Sequence, residues 1–167
     1  MCMRFLSHLP TVVRVLGVAA LLTCGAAGTA TAGTYLFIQT LPGDSTHTPH
    51  MGWIDLSYYS QTVGAKPCLQ ATVDKNLDRA TPGLAAYALS TQRIPLAIIE
   101  VWSGGTSDQL RLRATLEQVL VDVVSFAEGF SGIRETITLL PHKVTLEYPT
   151  QLPSGAPGPI ITGHMAC

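Results

Sequence analysis

The sequence LRLRATLEQVLVDV at residues 110–123 alternates apolar and polar side chains, as a strand with one buried face does. The apolar positions are even-numbered as far as Leu116 and odd-numbered from Val119 to Val123. The alternation therefore slips by one residue at Glu117 and Gln118. Because such a slip moves every following side chain to the other face of a sheet, we predict a bulge, bend or turn at these two residues.

Segments of similar character lie on both sides of this stretch. We predict further strands at residues 34–40, 53–60, 68–73, 95–102, 135–139 and 144–148, which are rich in β-branched, aromatic and alternating apolar residues. One helix is expected, with Thr81 as its cap, Pro82 in its first position and its end near Gln92. About eight short strands and one helix predict a mainly β fold, either a small antiparallel barrel or a sandwich.

The first 32 residues have the features of a signal peptide. Two arginines precede the apolar run 15–22, and small residues surround a cleavage point between Ala32 and Gly33. A membrane anchor is the first alternative, but the run is shorter than the about 20 apolar residues that span a bilayer. A lipoprotein signal ending at Cys24 is the second, and Thr23 directly before that cysteine disfavours it. We therefore expect an exported protein, periplasmic or extracellular, without stable membrane insertion after cleavage.

Cleavage after Ala32 leaves 135 of the 167 residues, which is enough for one domain. We assign residues 33–149 to this β domain and residues 150–167, which are rich in proline and glycine, to a mobile C-terminal tail. Two of the four cysteines leave with the signal peptide, and Cys68 and Cys167 remain. In an oxidising compartment they are a candidate disulfide, within one chain or between two, and the alternative is two unpaired thiols.

The charge of the chain is low and evenly spread. Without the leader, eight Lys and Arg face eleven Asp and Glu, and no basic run or stripe is present. This pattern excludes an electrostatic footprint for nucleic acid. Sparse charge is also typical of a surface that is covered by other copies of the same protein.

No group of residues predicts a reaction, a cofactor or a metal. His47 and His50 share one loop with Asp44, but without a third spaced ligand they are better interpreted as exposed loop histidines than as metal ligands. The acidic and basic residues of segment 74–79 alternate in sign, which favours surface ion pairs or an interface over paired catalytic carboxylates. The sequence therefore predicts a protein that is not an enzyme.

Four pieces of the sequence, in order and at matching spacing, resemble the family of haemolysin co-regulated proteins (Hcp), the tube subunits of type VI secretion systems. The resemblance covers almost all of residues 34–149. The pieces are Gly43-Asp44-Ser45; His50 followed by Trp53-Ile54-Asp55; Asp74-Lys75 with Asp78, Ala80-Thr81-Pro82 and Leu84; and Thr136-Ile137-Thr138-Leu139 with Lys143-Val144 and Glu147-Tyr148.

The resemblance implies a tight β-barrel flanked by a helix, with six subunits to a ring and rings stacked into a hollow tube. It also implies that the lumen carries small effectors and that the loop at residues 41–53 reaches an adjoining ring or subunit. Other secretion components are further implied partners. The leader departs from the family, because its tube subunits are normally cytosolic. The resemblance and the charge pattern together mark these candidate ring or stacking contacts: Gly43, Asp44, Ser45, His50, Trp53, Asp74, Lys75, Asp78 and Arg79.

The alternative function is an exported β-barrel that stays soluble as a binding module. Such a barrel would hold a ligand, or act as a carrier or chaperone for a small secreted protein. The loop at residues 41–53 separates the two hypotheses, since it would be a stacking element in the first and a lid in the second.

Overall fold

A computed structural model describes residues 32–104, 108–129 and 132–167. The predicted leader, apart from Ala32, lies outside these residues. The described chain forms nine strands and one helix in the order β1 (Gly33–Ile38), β2 (Ile54–Leu56), β3 (Tyr58–Val63), β4 (Leu69–Asn76), α1 (Thr81–Ala88), β5 (Arg93–Ser103), β6 (Gln109–Gly129), β7 (Gly132–Leu140), β8 (Lys143–Gln151) and β9 (Pro157–Ala166).

The strands form one antiparallel sheet that curls into a barrel. Its main path runs β2-β1-β5-β6-β7-β4-β3, and β8 and β9 extend it from β6. The two ends of that path, β2 and β3, are consecutive in the chain and only Ser57 separates them. The Ser57 N–H donates to the Asp74 carbonyl of β4 at 2.8 Å. The sheet is therefore joined to itself through the chain at Ser57, and the predicted mainly β barrel is confirmed.

Strand β6 serves two parts of the sheet because it bends at the predicted place. Its first half pairs with β5 on one side and with β8 on the other, and its second half pairs with β7. Gln118 lies between the halves with φ of 51°, a left-handed conformation that side chains other than glycine rarely adopt. A register shift follows between Val121 and Val123. The slip in alternation thus marks the point where the strand changes neighbours.

The core lies inside the barrel and is made by the inward residues of the alternating strands. In β4 these residues are Leu69, Ala71 and Val73, and all three are buried. Leu84 is the buried residue of α1 and belongs to the same apolar cluster. The helix therefore packs its short apolar face onto the barrel, with Leu84 buried and Tyr87 and Ala88 partly buried against the same cluster.

Three local expectations are wrong. Residues 53–60 form two strands instead of one, because the chain breaks at Ser57 to close the barrel. Ala80, not Thr81, caps α1, and the Thr81 hydroxyl instead donates to the Glu135 carboxylate. The expected mobile tail forms β9, which pairs along β8 from Lys143↔Ala166 to Gln151↔Pro157, because Gly155 at positive φ permits a tight turn between them.

A disulfide between Cys68 and Cys167 holds the end of β9. Cys68 directly precedes β4, and Cys167 follows β9. The bond therefore joins two cysteines of the same chain that are 99 residues apart in sequence. This is one of the pairings that the cysteine count left open.

Candidate functional site: the assembly surfaces

The loop at residues 41–53 is folded back on itself by its own backbone. The Gly43 N–H donates to the Gly52 carbonyl at 2.8 Å, and the Ser45 N–H donates to the Trp53 carbonyl at 2.9 Å. A side chain at position 43 has no room, since a Cβ there would lie 2.2 Å from the Trp53 carbonyl oxygen. Loop 41–53 is therefore a compact element with a defined shape, and Gly43 is required by a close approach of two backbone segments.

One end of loop 41–53 is tied to the segment before α1 by Arg79. The Arg79 Nε donates to the Gly43 carbonyl at 2.6 Å and lies 2.9 Å from Asp44 Oδ1. The Arg79 backbone N–H also donates to Asp44 Oδ2 at 3.2 Å. Both side chains remain more than half exposed, so solvent weakens the ion pair itself. The carbonyl contact of Arg79 is the part of this link that fixes the loop.

The other end of the loop is tied to the barrel by His50. Its side chain is 1% exposed, its Nε2 lies 2.8 Å from Glu100 Oε2, and its ring stacks on Tyr35 with centroids 4.0 Å apart. The sequence interpretation of His50 as an exposed loop histidine is therefore wrong. It failed because the buried partner, Glu100, lies 50 residues away on β5.

The Glu100 carboxylate is hydrogen-bonded to several polar side chains at this end of the barrel. It accepts from Trp102 Nε1 at 2.8 Å and from Arg113 Nε at 2.7 Å. Burial by itself would raise the pKa of Glu100, but the hydrogen bonds from His50, Trp102 and Arg113 and the charge of Arg113 outweigh it and lower that pKa. The carboxylate therefore stays charged and fixes the three side chains around it.

Lys75 is the centre of a second buried polar cluster, between β4, β7 and α1. Its side chain is fully buried, and its Nζ lies 2.6 Å from Asp78 Oδ1 and 2.7 Å from Glu135 Oε2. The ammonium also donates to Thr81 Oγ1 at 2.8 Å. The expectation of surface ion pairs in segment 74–79 is wrong for Lys75, because this side chain points inward from β4 in step with the core residues.

The nine candidate contacts thus divide into two groups. Gly43, Ser45, His50 and Lys75 are buried within one subunit and cannot touch a neighbour directly. Asp44 and Arg79 are exposed, and Trp53, Asp74 and Asp78 are partly exposed. Sequence reasoning missed Glu100, Arg113 and Glu135 as partners; the signal for Glu100 was a carboxylate inside an otherwise apolar strand.

Exposed apolar side chains lie on several parts of the described subunit, and two of these surfaces involve the strands β6, β7, β8 and β9. The first is the hairpin arm, which we define as the distal ends of β6 and β7 with Val123, Phe126 and Ile133. The second is the β9 face, defined by Ile161 on β9 and its exposed cross-strand partner Tyr148 on β8. These two surfaces lie on different strands, and strand edges left open in this way are natural docking sites.

The described residues hold no group of three or more side chains suited to bind a metal ion. Within the same residues, no helical segment has the length and apolar character needed to cross a membrane.

Comparisons with known proteins agree with the resemblance found in the sequence. The family model described as "Type VI secretion system effector, Hcp" matches residues 35–148. The Hcp1 structure from Salmonella typhimurium is 27% identical with a TM-score of 0.72, and the match covers 81% of this chain and 94% of that one. A type VI secretion system effector from Yersinia pestis is 20% identical with a TM-score of 0.70, covering 80% and 99%. A search of the curated proteins finds no match.

Proposed function

Because this chain belongs to the Hcp family of type VI secretion proteins, we propose that it assembles into rings of six identical subunits that stack into a hollow tube. The lumen of such a tube carries small effectors. The observation that carries the proposal is the presence of two unlike apolar surfaces on one subunit, the hairpin arm and the β9 face. A ring needs a head-to-tail contact between two different surfaces of the same protein. The low charge of the chain, 13% Asp, Glu, Lys and Arg, reduces the desolvation that close packing of subunits costs.

The head-to-tail contact is tested by light scattering after size exclusion. Phe126→Glu in the hairpin arm and Ile161→Glu in the β9 face each remove one half of the contact, so each variant alone is expected as a monomer. Leu89→Glu is the matched control, since Leu89 is 92% exposed and belongs to neither surface, and it keeps the oligomer.

A mixture of the two variants distinguishes a ring from a symmetric dimer. Phe126→Glu retains an intact β9 face and Ile161→Glu an intact arm, so one productive contact remains and the mixture yields heterodimers that grow no further. A wild-type protein that stays at its monomer mass of 17.8 kDa, or less after leader removal, at all concentrations contradicts the proposal.

Contact between rings is assigned to the exposed tip of loop 41–53. Met51 is 72% exposed beside the buried His50 anchor, so it projects from an element whose shape is already fixed. Met51→Glu is expected to leave single rings and abolish stacks in negative-stain micrographs. Deleting residues 46–50 is a poorer test, because it removes His50 and so damages the barrel. Stacks of normal length from Met51→Glu would exclude this role of the loop.

Export through the general secretion pathway is the second part of the proposal. The bond between Cys68 and Cys167 supports it, because such bonds persist in oxidising compartments such as the periplasm and the cell exterior. The N-terminal residue of protein recovered from the culture medium tests it. Gly33 at the N-terminus is expected, and an intact Met1 would contradict the cleavage.

A further inference from the structure

Strand β9 is attached to the barrel mainly by its ladder with β8. Within the described residues it pairs with β8 alone, and none of its ten residues is buried. Two of the ten are prolines, which cannot donate to the ladder, and two are glycines, which have no side chain to pack. Met165 adds a partly buried apolar contact with the core. The non-covalent attachment of β9 therefore depends on hydrogen bonds to one neighbouring strand.

The disulfide fixes the far end of the same segment. Cys167 follows β9 and is bonded to Cys68, which precedes β4. If β9 leaves β8 while this bond is intact, residues 152–167 become a closed loop of about 16 residues. Closing a loop of that size removes about 10 cal/mol/K of chain entropy. This entropy corresponds to a factor of about a hundred, so the intact bond makes the opening of β9 about a hundredfold less frequent.

The β9 face is complete while β9 is paired with β8. Tyr148 of β8 lies directly opposite Ile161 of β9, so the two exposed side chains form one apolar patch across the ladder. The pairing of β8 with β6 ends at Glu147, so in the described chain the strand partner of Tyr148 is on β9. Opening of β9 therefore separates the two apolar residues and also releases the part of β8 that carries Tyr148.

We propose that the bond between Cys68 and Cys167 is a redox latch, which keeps β9 docked so that the oxidised subunit presents a complete β9 face. The latch closes when the two thiols give two electrons and two protons to the disulfide of a thiol oxidant, which leaves as two thiols. A dithiol reductant reverses the step, and Cys167 is exposed to it. If the β9 face is half of the head-to-tail contact, which rests on the proposed function, the latch favours assembly in an oxidising compartment over a reducing one.

Hydrogen exchange tests the latch in the absence of assembly. The full chain with Phe126→Glu is used, because this variant is expected to be a monomer and keeps both cysteines. Amides of β9 are expected to exchange about a hundredfold faster in dithiothreitol than in the oxidised protein, while amides of β5 in the same sample remain protected. Simultaneous exchange of β9 and β5 in the reduced protein would overturn the proposal, since the bond would then stabilise only the barrel as a whole. Equal protection of β9 in the two states would overturn it as well.

Light scattering on the wild type tests the consequence for assembly. Reduction is expected to raise the protein concentration at which half of the subunits are assembled by at least about twofold, since only subunits with β9 docked can bind. The double variant Cys68→Ser with Cys167→Ser is the control, and dithiothreitol is expected to change neither its exchange nor its mass. An oligomer that is unchanged by reduction, although β9 exchanges faster, would refute the control of assembly. A wild type that is monomeric in both states, with the expected exchange of β9, would contradict the ring and support the latch.

Discussion

Removing the disulfide is the perturbation whose effect on stability follows most directly from the structure. Cys167 lies at the end of β9, which pairs with β8 alone, and its N–H donates to the His142 carbonyl at 3.0 Å. The bond to Cys68 ties this edge strand to the start of β4 on another part of the barrel. The double variant Cys68→Ser with Cys167→Ser removes the bond and leaves no free thiol at either site.

The size of the loop sets the expected loss of stability. The bond closes a loop with a sequence separation of 99 residues. In the loop-entropy description this closure removes about 15.8 cal/mol/K from the unfolded chain, which is about 4.7 kcal/mol at 25 °C. Measured losses for native disulfides lie between about 2 and 5 kcal/mol. Since whole domains are stable by about 5–15 kcal/mol, the double variant is expected to lose a large part of its stability.

Urea unfolding of the oxidised wild type and the double variant measures this loss. The midpoint is expected to fall and the dependence on urea to steepen, because an unfolded chain without the cross-link exposes more surface. Ala166→Ser is the control, since it places a serine beside the same exposed end and keeps the bond. A loss below about 1 kcal/mol would contradict the loop argument. Wild-type dimers on a non-reducing gel that disappear in the double variant would place the bond between chains and refute the intrachain pairing.

Three further variants test the interior of the subunit. Lys75→Met leaves Glu135 as a buried charge without its cation and is expected to lower the free energy of unfolding, measured in urea, by about 3–5 kcal/mol. Adding Glu135→Leu is expected to restore most of that stability. Equal losses in the single and the double variant would contradict this. Because the pKa of Glu100 is lower in the folded protein than in the unfolded chain, this group stabilises the fold above the unfolded pKa of about 4.3, and the stabilisation is lost as the pH falls through the folded pKa. Glu100→Gln should therefore flatten the acid side of a plot of unfolding free energy against pH. Parallel curves for the wild type and the variant would exclude the effect. Gly43→Ala should lower the free energy of unfolding by about 1–3 kcal/mol, because the new Cβ would lie 2.2 Å from a backbone carbonyl oxygen. In the control Gly64→Ala the nearest atom lies 3.7 Å from the new Cβ, so the free energy of unfolding should change by less than about 0.5 kcal/mol. Similar losses in the two variants, measured by thermal unfolding, would refute the steric argument.

The barrel was accessible to sequence reasoning because it rests on local patterns. The alternation in β6 and its slip at Gln118 are properties of neighbouring residues, and the structure has its irregular backbone at that residue. The segment after Pro149 was missed because its proline and glycine content suggested a tail. Its pairing with β8 depends on a turn at Gly155 and on the distant Cys68, and neither effect is a periodic pattern.

The polar clusters were less accessible because their partners are far apart in the chain. His50 and Glu100 are 50 residues apart, and Lys75 and Glu135 meet only because β4 pairs with β7. Charges read along segment 74–79 therefore suggested a surface, although the barrel brings the buried Glu135 to Lys75. Burial of a charged residue cannot be judged without knowing which strands are neighbours.

In the assembly proposed above, His50 and Arg79 would act through the shape of loop 41–53 and not by contact with a neighbour. His50 fixes one end of the loop to Glu100, and Arg79 fixes the other end through the Gly43 carbonyl. Ordering the backbone of one residue costs about 1–2 kcal/mol. If the loop became ordered only on contact with a neighbour, that cost would reduce the binding free energy once for every residue that becomes ordered. In this subunit the buried polar groups have already ordered the loop. In the proposed stack, its exposed tip at Met51 would contribute apolar contact area to a neighbouring ring with little further loss of entropy.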